Sequence, residues 1–319
     1  MENRFKDHTR PYNALDDYLK GIYGEKVYKI ALDGGFTCPS RDGRLDTRGC
    51  IFCSAAGSGD FSVSCLDFPD ICSQLDKGIS LFSAKRAPGR YIAYFQAFTG
   101  TYASPDYCRK LYLEALSHPK VIGISIATRP DCLPDSILEV LDECRKLYPG
   151  KTVWVELGLQ TIHESTAAYI RRHYPLKTAT DAILSLQKHS IPVILHIILG
   201  LPHETPDMVL QTIDYVNRMK VFGIKLQLLH VLKGTDLAED YARHFFEVLS
   251  KDSYLALLIR CLEHLDPDIV IHRVTGDGPK ELTVAPLWSL DKRGVLNTLH
   301  HEMKVLNTWQ GKHFLPNTD

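Results

Sequence analysis

No apolar run in this chain approaches the roughly 20 residues that a membrane-spanning helix requires. The first ten residues, Met1 to Arg10, are polar and carry no apolar signal core. Low-complexity tracts and short-period repeats are missing too. With 45% apolar and 24% charged residues, the composition excludes a dominantly disordered, collagenous or coiled-coil chain. Neither sign of charge is in excess: 37 Lys and Arg face 38 Asp and Glu, a formal net charge of −1 with His neutral. That balance gives no general attraction to nucleic acid or to an anionic membrane. What the chain does have is length and cysteine. Its 319 residues suffice for about two domains of ~150 residues, or for one large α/β unit. Nine cysteines, an odd number, in a chain without a signal segment predict a reducing, cytoplasmic setting, with free thiols or metal ligands in place of a disulfide frame.

The apolar pattern alternates between strand and helix periods. Strands are predicted at Lys26–Leu32, Tyr91–Gln96, Val121–Ala127, Thr152–Leu157, Pro192–Leu199 and Ile224–His230. Helices are predicted over Pro69–Lys85 with Asp67 as N-cap, Ser104–Ser117, Pro134–Leu147, His163–Arg171, Thr178–His189 and Thr205–Lys220. The run PVILHIIL (192–199) is nearly continuous, as in a strand covered on both faces. Six strands alternating with six helical connections imply a parallel sheet with right-handed crossovers; periodicity leaves open whether it is flat or curled. After about Gly234 the pattern changes to two helices, a strand at Asp268–Val274, a Gly/Pro-rich turn and a last helix from about Leu290 to Trp309. The organisation expected is an N-terminal segment (1–25), a core (26–235) and a C-terminal extension (236–319).

Three cysteines follow the first predicted strand as C-x11-C-x2-C: Cys38, Cys50 and Cys53. Loops at the C-terminal ends of parallel strands converge on one face, where such sheets place their active sites. A structural zinc ion wants four ligands, whereas a cubic iron–sulfur cluster held by three cysteines keeps one iron open. Spacing alone leaves both readings standing, the zinc site taking Cys65 as its fourth ligand. The remaining cysteines (72, 108, 132, 144, 261) fall in or beside predicted helices, as packing thiols do.

Seven blocks in order carry a resemblance: GGFTCPSRDG (34–43), GCIFCS (49–54), YFQAFTGTYA (94–103), SIATRPDCLP (125–134), VELGLQT (155–161), HIILGLPHET (196–205) and IHRVTGDGP (271–279). Over about residues 10–310 the chain resembles the radical S-adenosylmethionine (SAM) superfamily. In detail it resembles the YhcC/YtqA-like family, related to the Elongator catalytic subunit and to oxygen-independent coproporphyrinogen dehydrogenase. The resemblance implies a six-stranded parallel (β/α)6 partial TIM barrel with a C-terminal α/β extension. It implies a 4Fe-4S cluster on Cys38, Cys50 and Cys53 whose open iron takes SAM. Reductive cleavage of SAM would then give a 5′-deoxyadenosyl radical that abstracts hydrogen from a substrate.

By the same resemblance Phe52 lies near the adenine, while Gln96, Thr99, Gln160, Arg172 and His196 match positions around SAM, with Arg172 facing its carboxylate. Where relatives carry a glutamate this chain has Ala127, so that contact is expected to be lost or to be replaced through Thr128 or Arg129. His173 and His203 stand where relatives often have Gly. Tyr94, Phe95 and Phe98 are expected to pack in the core. His272 and Arg273, with Thr275, Gly276 and Asp277, read either as a substrate-facing group or as a tight turn with an Arg–Asp pair. The partners implied are a reductant such as flavodoxin or ferredoxin and an unidentified substrate, with a tRNA base as a candidate through the Elongator relation. The basic stretches available to such a substrate are Lys85, Arg86 and Arg90; Arg171 and Arg172; and Lys292 and Arg293. The reading from another class is a non-catalytic binding module stabilised by zinc.

Overall fold

The computed structural model describes residues 2–83 and 89–316. The chain runs through α1 (Leu15–Tyr23), β1 (Val27–Leu32), α2 (Ile71–Ser83), β2 (Arg90–Phe95), α3 (Pro105–Ser117), β3 (Val121–Thr128) and α4 (Asp135–Leu147). It continues with β4 (Thr152–Gln160), α5 (Glu164–Tyr169), α6 (Leu176–Lys188), β5 (Val193–Leu199), α7 (Pro206–Arg218) and β6 (Gly223–Leu228). Beyond these come β7 (Val231–Leu232), α8 (Asp236–Ala242), α9 (Lys251–His264), β8 (Val270–Arg273), β9 (Thr283–Ala285) and α10 (Lys292–Val305). The helices start where capping chemistry allows. Ser104 and Thr205 each accept a hydrogen bond from the third residue of a helix that opens on proline. For α2 the cap is Asp70, whose carboxylate accepts from the Ser73 N–H at 2.8 Å, in place of the expected Asp67. The expected end of that helix at Lys85, and the basic pair Lys85 and Arg86, lie outside the described residues.

All seven strands of the main sheet are parallel, in the order β1-β2-β3-β4-β5-β6-β8. The seventh is the correction to a six-stranded expectation. The strand foreseen in the C-terminal extension pairs in parallel with β6, Gly223 opposite Val270 and Lys225 opposite Arg273. The short pair β7–β9 is antiparallel and carries no sequence period long enough to foresee it. Were the sheet flat, β1 and β8 would stand six strand spacings apart, roughly 29 Å. Instead Lys29 Nζ on β1 lies 3.4 Å from His272 Nδ1 on β8. The sheet is therefore curled into a partial barrel.

Curling gives the strands two different faces. On β1, Tyr28, Ile30 and Leu32 turn outward into the layer of helices, while Lys29 and Ala31 face inward. The lower interior is plugged by Ile92, Ile122, Trp154 and Ile194, with Leu19 of α1 packed beneath them. Helices α9 and α10 bury Tyr254, Leu258 and Leu299 in the same apolar core as the barrel helices. The seam between β1 and β8 is closed by the segment before α1. Asn13 O accepts from Ile271 N, and the backbone N–H and side chain of Gln310 clasp Pro11, Asn13, Asp266 and Ile269.

Close approach of β3 to β4 depends on Gly123, because a Cβ there would fall inside contact distance of the Thr152 backbone oxygen and side chain. Gly123→Ala is expected to lower the unfolding free energy by about 2 kcal/mol, read as a reduced urea midpoint with an unchanged slope.

Candidate active site

A cavity of about 860 Å³ fills the barrel above its apolar plug, within the usual range for ligand pockets. Its rim is the loop after β1. That loop folds back on itself: Gly49 N donates to Ser40 O at 2.7 Å, and Cys53 N donates to Cys50 O at 3.0 Å, closing the C-x2-C turn. Ile51 N reaches Ile170 O, which ties the loop to the end of α5. Arg41 Nη2 donates to the carbonyls of Cys53 and Ser54. Cys38, Cys50 and Cys53, with eleven residues between the first two, thereby line the same cavity. Burial pushes the Cys50 thiol up to about 12, with Cys53 and Cys38 adding to it while Arg129 and Arg41 oppose. Burial also raises Cys53, against the pull of Arg41.

Cys65 does not join them. Its Sγ donates to Asp33 Oδ2 at 3.2 Å, away from the cavity wall. Among the described residues no three His, Cys, Asp or Glu side chains converge on a single-ion site. Of the other cysteines, 108, 132, 144 and 261 are buried free thiols and Cys72 is half-buried.

Phe52, Gln96, Thr99, Gln160, Arg172 and His196 all line this same cavity. Gln96 donates to Ser58 O at 2.9 Å, pinning the outer part of the cysteine loop. Gln160 is distinctive: its backbone is left-handed, with φ +68°, and its buried Oε1 has no partner. Arg172 is largely engaged by the protein. It donates to the carbonyls of Tyr174, Leu159 and Thr161 and to Glu164 Oε2, leaving one of its five N–H groups.

The two replacements expected for the missing glutamate are engaged as well. Thr128 Oγ1 lies 2.6 Å from Thr101 Oγ1. Arg129 makes a bidentate pair with Asp131 and donates to Ser40 Oγ and Arg172 O. The Tyr174 ring lies against both guanidinium groups, at 5.0 Å from Arg129 and 4.9 Å from Arg172. His173 and His203 adopt φ +63° and +66°, the left-handed backbone that glycine takes without penalty. Phe98 and Arg171 do the same at the rim, with φ +56° each.

Below this level lies a group that sequence reasoning missed. Glu156, fully buried, accepts from Lys29 Nζ at 2.6 Å and Ser125 Oγ at 2.5 Å on one oxygen. Its other oxygen meets Lys225 Nζ at 2.5 Å and His196 Nε2 at 2.7 Å. Lys225 also donates to Tyr94 OH at 2.9 Å. Tyr94 is thus a polar member of the cavity wall, as Phe98 is an apolar one, whereas Phe95 packs in the core.

Burial opposes ionisation of Glu156, but Lys225 and Lys29 outweigh it and hold the carboxyl well below its ordinary range. Burial brings Lys225 down to about 7 and His196 to about 4, so the imidazole is neutral. The available signal was one charge set inside each of three otherwise apolar strands: Lys29 in KVYKIAL, Glu156 in VELGLQT and Lys225 in IKLQLL. The block at 271–279 fits both of its readings. Arg273 pairs with Asp277 at 3.4 Å, and His272, Arg273, Gly276 and Asp277 also form cavity wall.

A family model described as the radical SAM superfamily matches residues 47–216, and one for a radical SAM C-terminal domain matches 221–305. The chain is 44% identical to the uncharacterised protein YtqA of Bacillus subtilis over 97% of its length and 95% of that protein. It is 33% identical to protein YhcC of Escherichia coli over 96% and 98%. Among solved structures, archaeal Elp3 of Methanocaldococcus infernus superposes with a TM-score of 0.66 at 16% identity. That likeness covers 89% of this chain and 64% of that one, and it is a likeness of fold. Among the described residues no helix is long and apolar enough to cross a membrane.

Replacing the shared carboxylate strands two ammonium groups inside the barrel. Glu156→Gln is expected to cost about 3–5 kcal/mol of stability at neutral pH, measured by chemical denaturation. Since the folded carboxyl titrates below its unfolded value, its contribution is complete above ~4.3 and fades as the pH falls below that. The gap between wild type and variant should therefore narrow in acid.

Proposed function

Because this chain belongs to the radical SAM superfamily, we propose that Cys38, Cys50 and Cys53 hold a 4Fe-4S cluster and that Gln160 contributes to binding SAM against it. Members of the superfamily are enzymes that use these two cofactors. The observation that carries the reading is the convergence of three thiols and the unpartnered Gln160 Oε1 on a single cavity. Three sulfurs without a fourth suit a group that keeps a coordination position for another ligand, and an orphaned amide oxygen suits a donor such as an amino group. When bound, the cofactors supply one-electron cleavage of SAM to methionine and a 5′-deoxyadenosyl radical that abstracts hydrogen.

The protein's own part is positional and electrostatic. Arg41 and Arg129 set positive charge beside the thiols and favour anionic sulfur there. Phe52, Phe98, Ile198 and Leu229 supply apolar wall that keeps water from the reacting centre. Arg172, held by backbone carbonyls, fixes the turn between Gln160 and the rim. The inner half of the cavity, with His196 and Tyr94, receives the substrate. This chemistry calls for a one-electron donor such as flavodoxin or ferredoxin.

Protein purified without oxygen is expected to contain iron and acid-labile sulfide in equal amounts and to release 5′-deoxyadenosine when dithionite is added. Cys53→Ala should lose both. Gln160→Ala should keep its iron while binding SAM about fivefold more weakly, the worth of one hydrogen bond at ~1 kcal/mol. Zinc at one per chain with no iron would establish the zinc-stabilised module instead.

A further inference from the structure

The charges on the cavity floor do not balance. Lys29, Lys225, Arg273 and Lys292 line it around the Glu156 layer and the adjoining 273–277 turn, against two carboxylates there, Glu156 and Asp277. The histidines there add no charge: burial lowers His196, His230 and His272 below the ordinary imidazole value. Lys292 and Asp277 cancel as a partly exposed pair, which leaves Lys29, Lys225 and Arg273 against Glu156, an excess of one to two positive charges because Lys225 is brought down to about 7.

The four cations are not equivalent. Lys29 Nζ is spent on Glu156, Ser125 and the His272 ring. Lys225 Nζ is spent on Glu156 and Tyr94. Lys292 holds both oxygens of Asp277, at 2.6 and 2.8 Å. Arg273 is different: it stands beside Lys225 in register across β6 and β8, and it meets Asp277 through a single Nη2 contact at 3.4 Å. Its side chain is 29% exposed and forms part of the cavity wall, and its other donors make no hydrogen bond among the described residues.

We propose that the inner end of the cavity is an anion subsite for the substrate, in which the Arg273 guanidinium binds an oxyanion, a carboxylate or phosphate group of a small molecule, and Lys29 and Lys225 supply the surrounding positive field. The subsite rests on the reading of this cavity as the radical SAM active site and names the class of substrate it takes. A forked pair of N–H donors matches two oxygens of either group. The low value of Lys225, near 7, has the same origin: burial first, then the neighbouring cations Lys29 and Arg273, with too little negative charge nearby to offset them. An uncharged nucleobase inserted to this depth would leave the excess in place, so the floor favours an anionic small molecule over a tRNA base.

The test is calorimetric titration of the anaerobic holoenzyme with inorganic phosphate and, separately, acetate, at constant ionic strength and with SAM saturating. Saturable binding of at least one probe is expected, and the stronger of the two identifies the group. Arg273→Gln should weaken it at least tenfold. Lys292→Met should also weaken it, because Asp277 then turns to Arg273. Asp277→Asn should tighten it severalfold, an outcome that general loss of structure does not produce.

No saturable binding of either probe, or affinity unchanged by Arg273→Gln and Asp277→Asn, overturns the subsite. Binding of uncharged nucleosides in preference to both anions does so as well. Iron content and 5′-deoxyadenosine release, measured on the wild-type preparation, keep the two readings apart. Cofactor chemistry without an anion response removes only the subsite, and an anion response without iron removes only the cofactor assignment.

Discussion

A single carboxylate organises the interior of this barrel. Glu156 sits where strands from both sides of the curled sheet meet, and its two oxygens hold Lys29 of β1 and Lys225 of β6. Each ammonium ion would be costly at that depth if left alone. Together with Ser125 and His196 they form a polar layer between an apolar plug and a cofactor-sized space above. The layer depends on curvature, since in a flat sheet Lys29 and Lys225 could not share one carboxylate. Shape and electrostatics are thus mutually dependent: the curl permits the bridge, and the bridge makes flattening expensive.

The rim follows a different rule. The cysteine loop is held by backbone hydrogen bonds and by guanidinium groups that donate to carbonyls, with Ile51 as its apolar anchor beside Ile170 and Ile198. Around it Phe98, Gln160, Arg171, His173 and His203 all occupy left-handed backbone, each at a cost of about 1 kcal/mol or more. Such strain persists only where the surroundings over-determine it, and it gathers here at the C-terminal strand ends. The Tyr174 ring, in contact with Arg129 and Arg172, shows how that over-determination is arranged.

Much of this was legible in the sequence, for identifiable reasons. Strands such as Val193–Leu199 announce themselves because burial on both faces forces a continuous apolar run. The C-x11-C-x2-C spacing located the rim because the chemistry of sulfur leaves few other uses for that pattern. The seventh strand was seen but placed in an extension, since a four-residue strand carries no mark of its partner. The replacement of Asp67 by Asp70 as cap is a shift of less than one helical turn, which composition cannot resolve when both residues are aspartate. Arg172 shows in the sequence as a charge, which does not reveal the carbonyls that hold it in place at the cavity wall. Glu156, Lys29 and Lys225 were passed over because their meaning is collective. Each alone is an anomaly in an apolar strand, and only the closure of the sheet turns them into one group.

The seam between β1 and β8 has a consequence in time. Its clasp joins Asn13 to Gln310, a separation of 297 residues. A ribosome delivers Gln310 long after Asn13, so the parallel strands can pair in order as they emerge while this clasp is still unmade. Closure is a contact of nearly maximal sequence range, the kind whose entropy is met last. A nascent chain therefore passes through a stage in which the sheet and its charged layer can assemble while the residue that clasps the seam has not yet been translated.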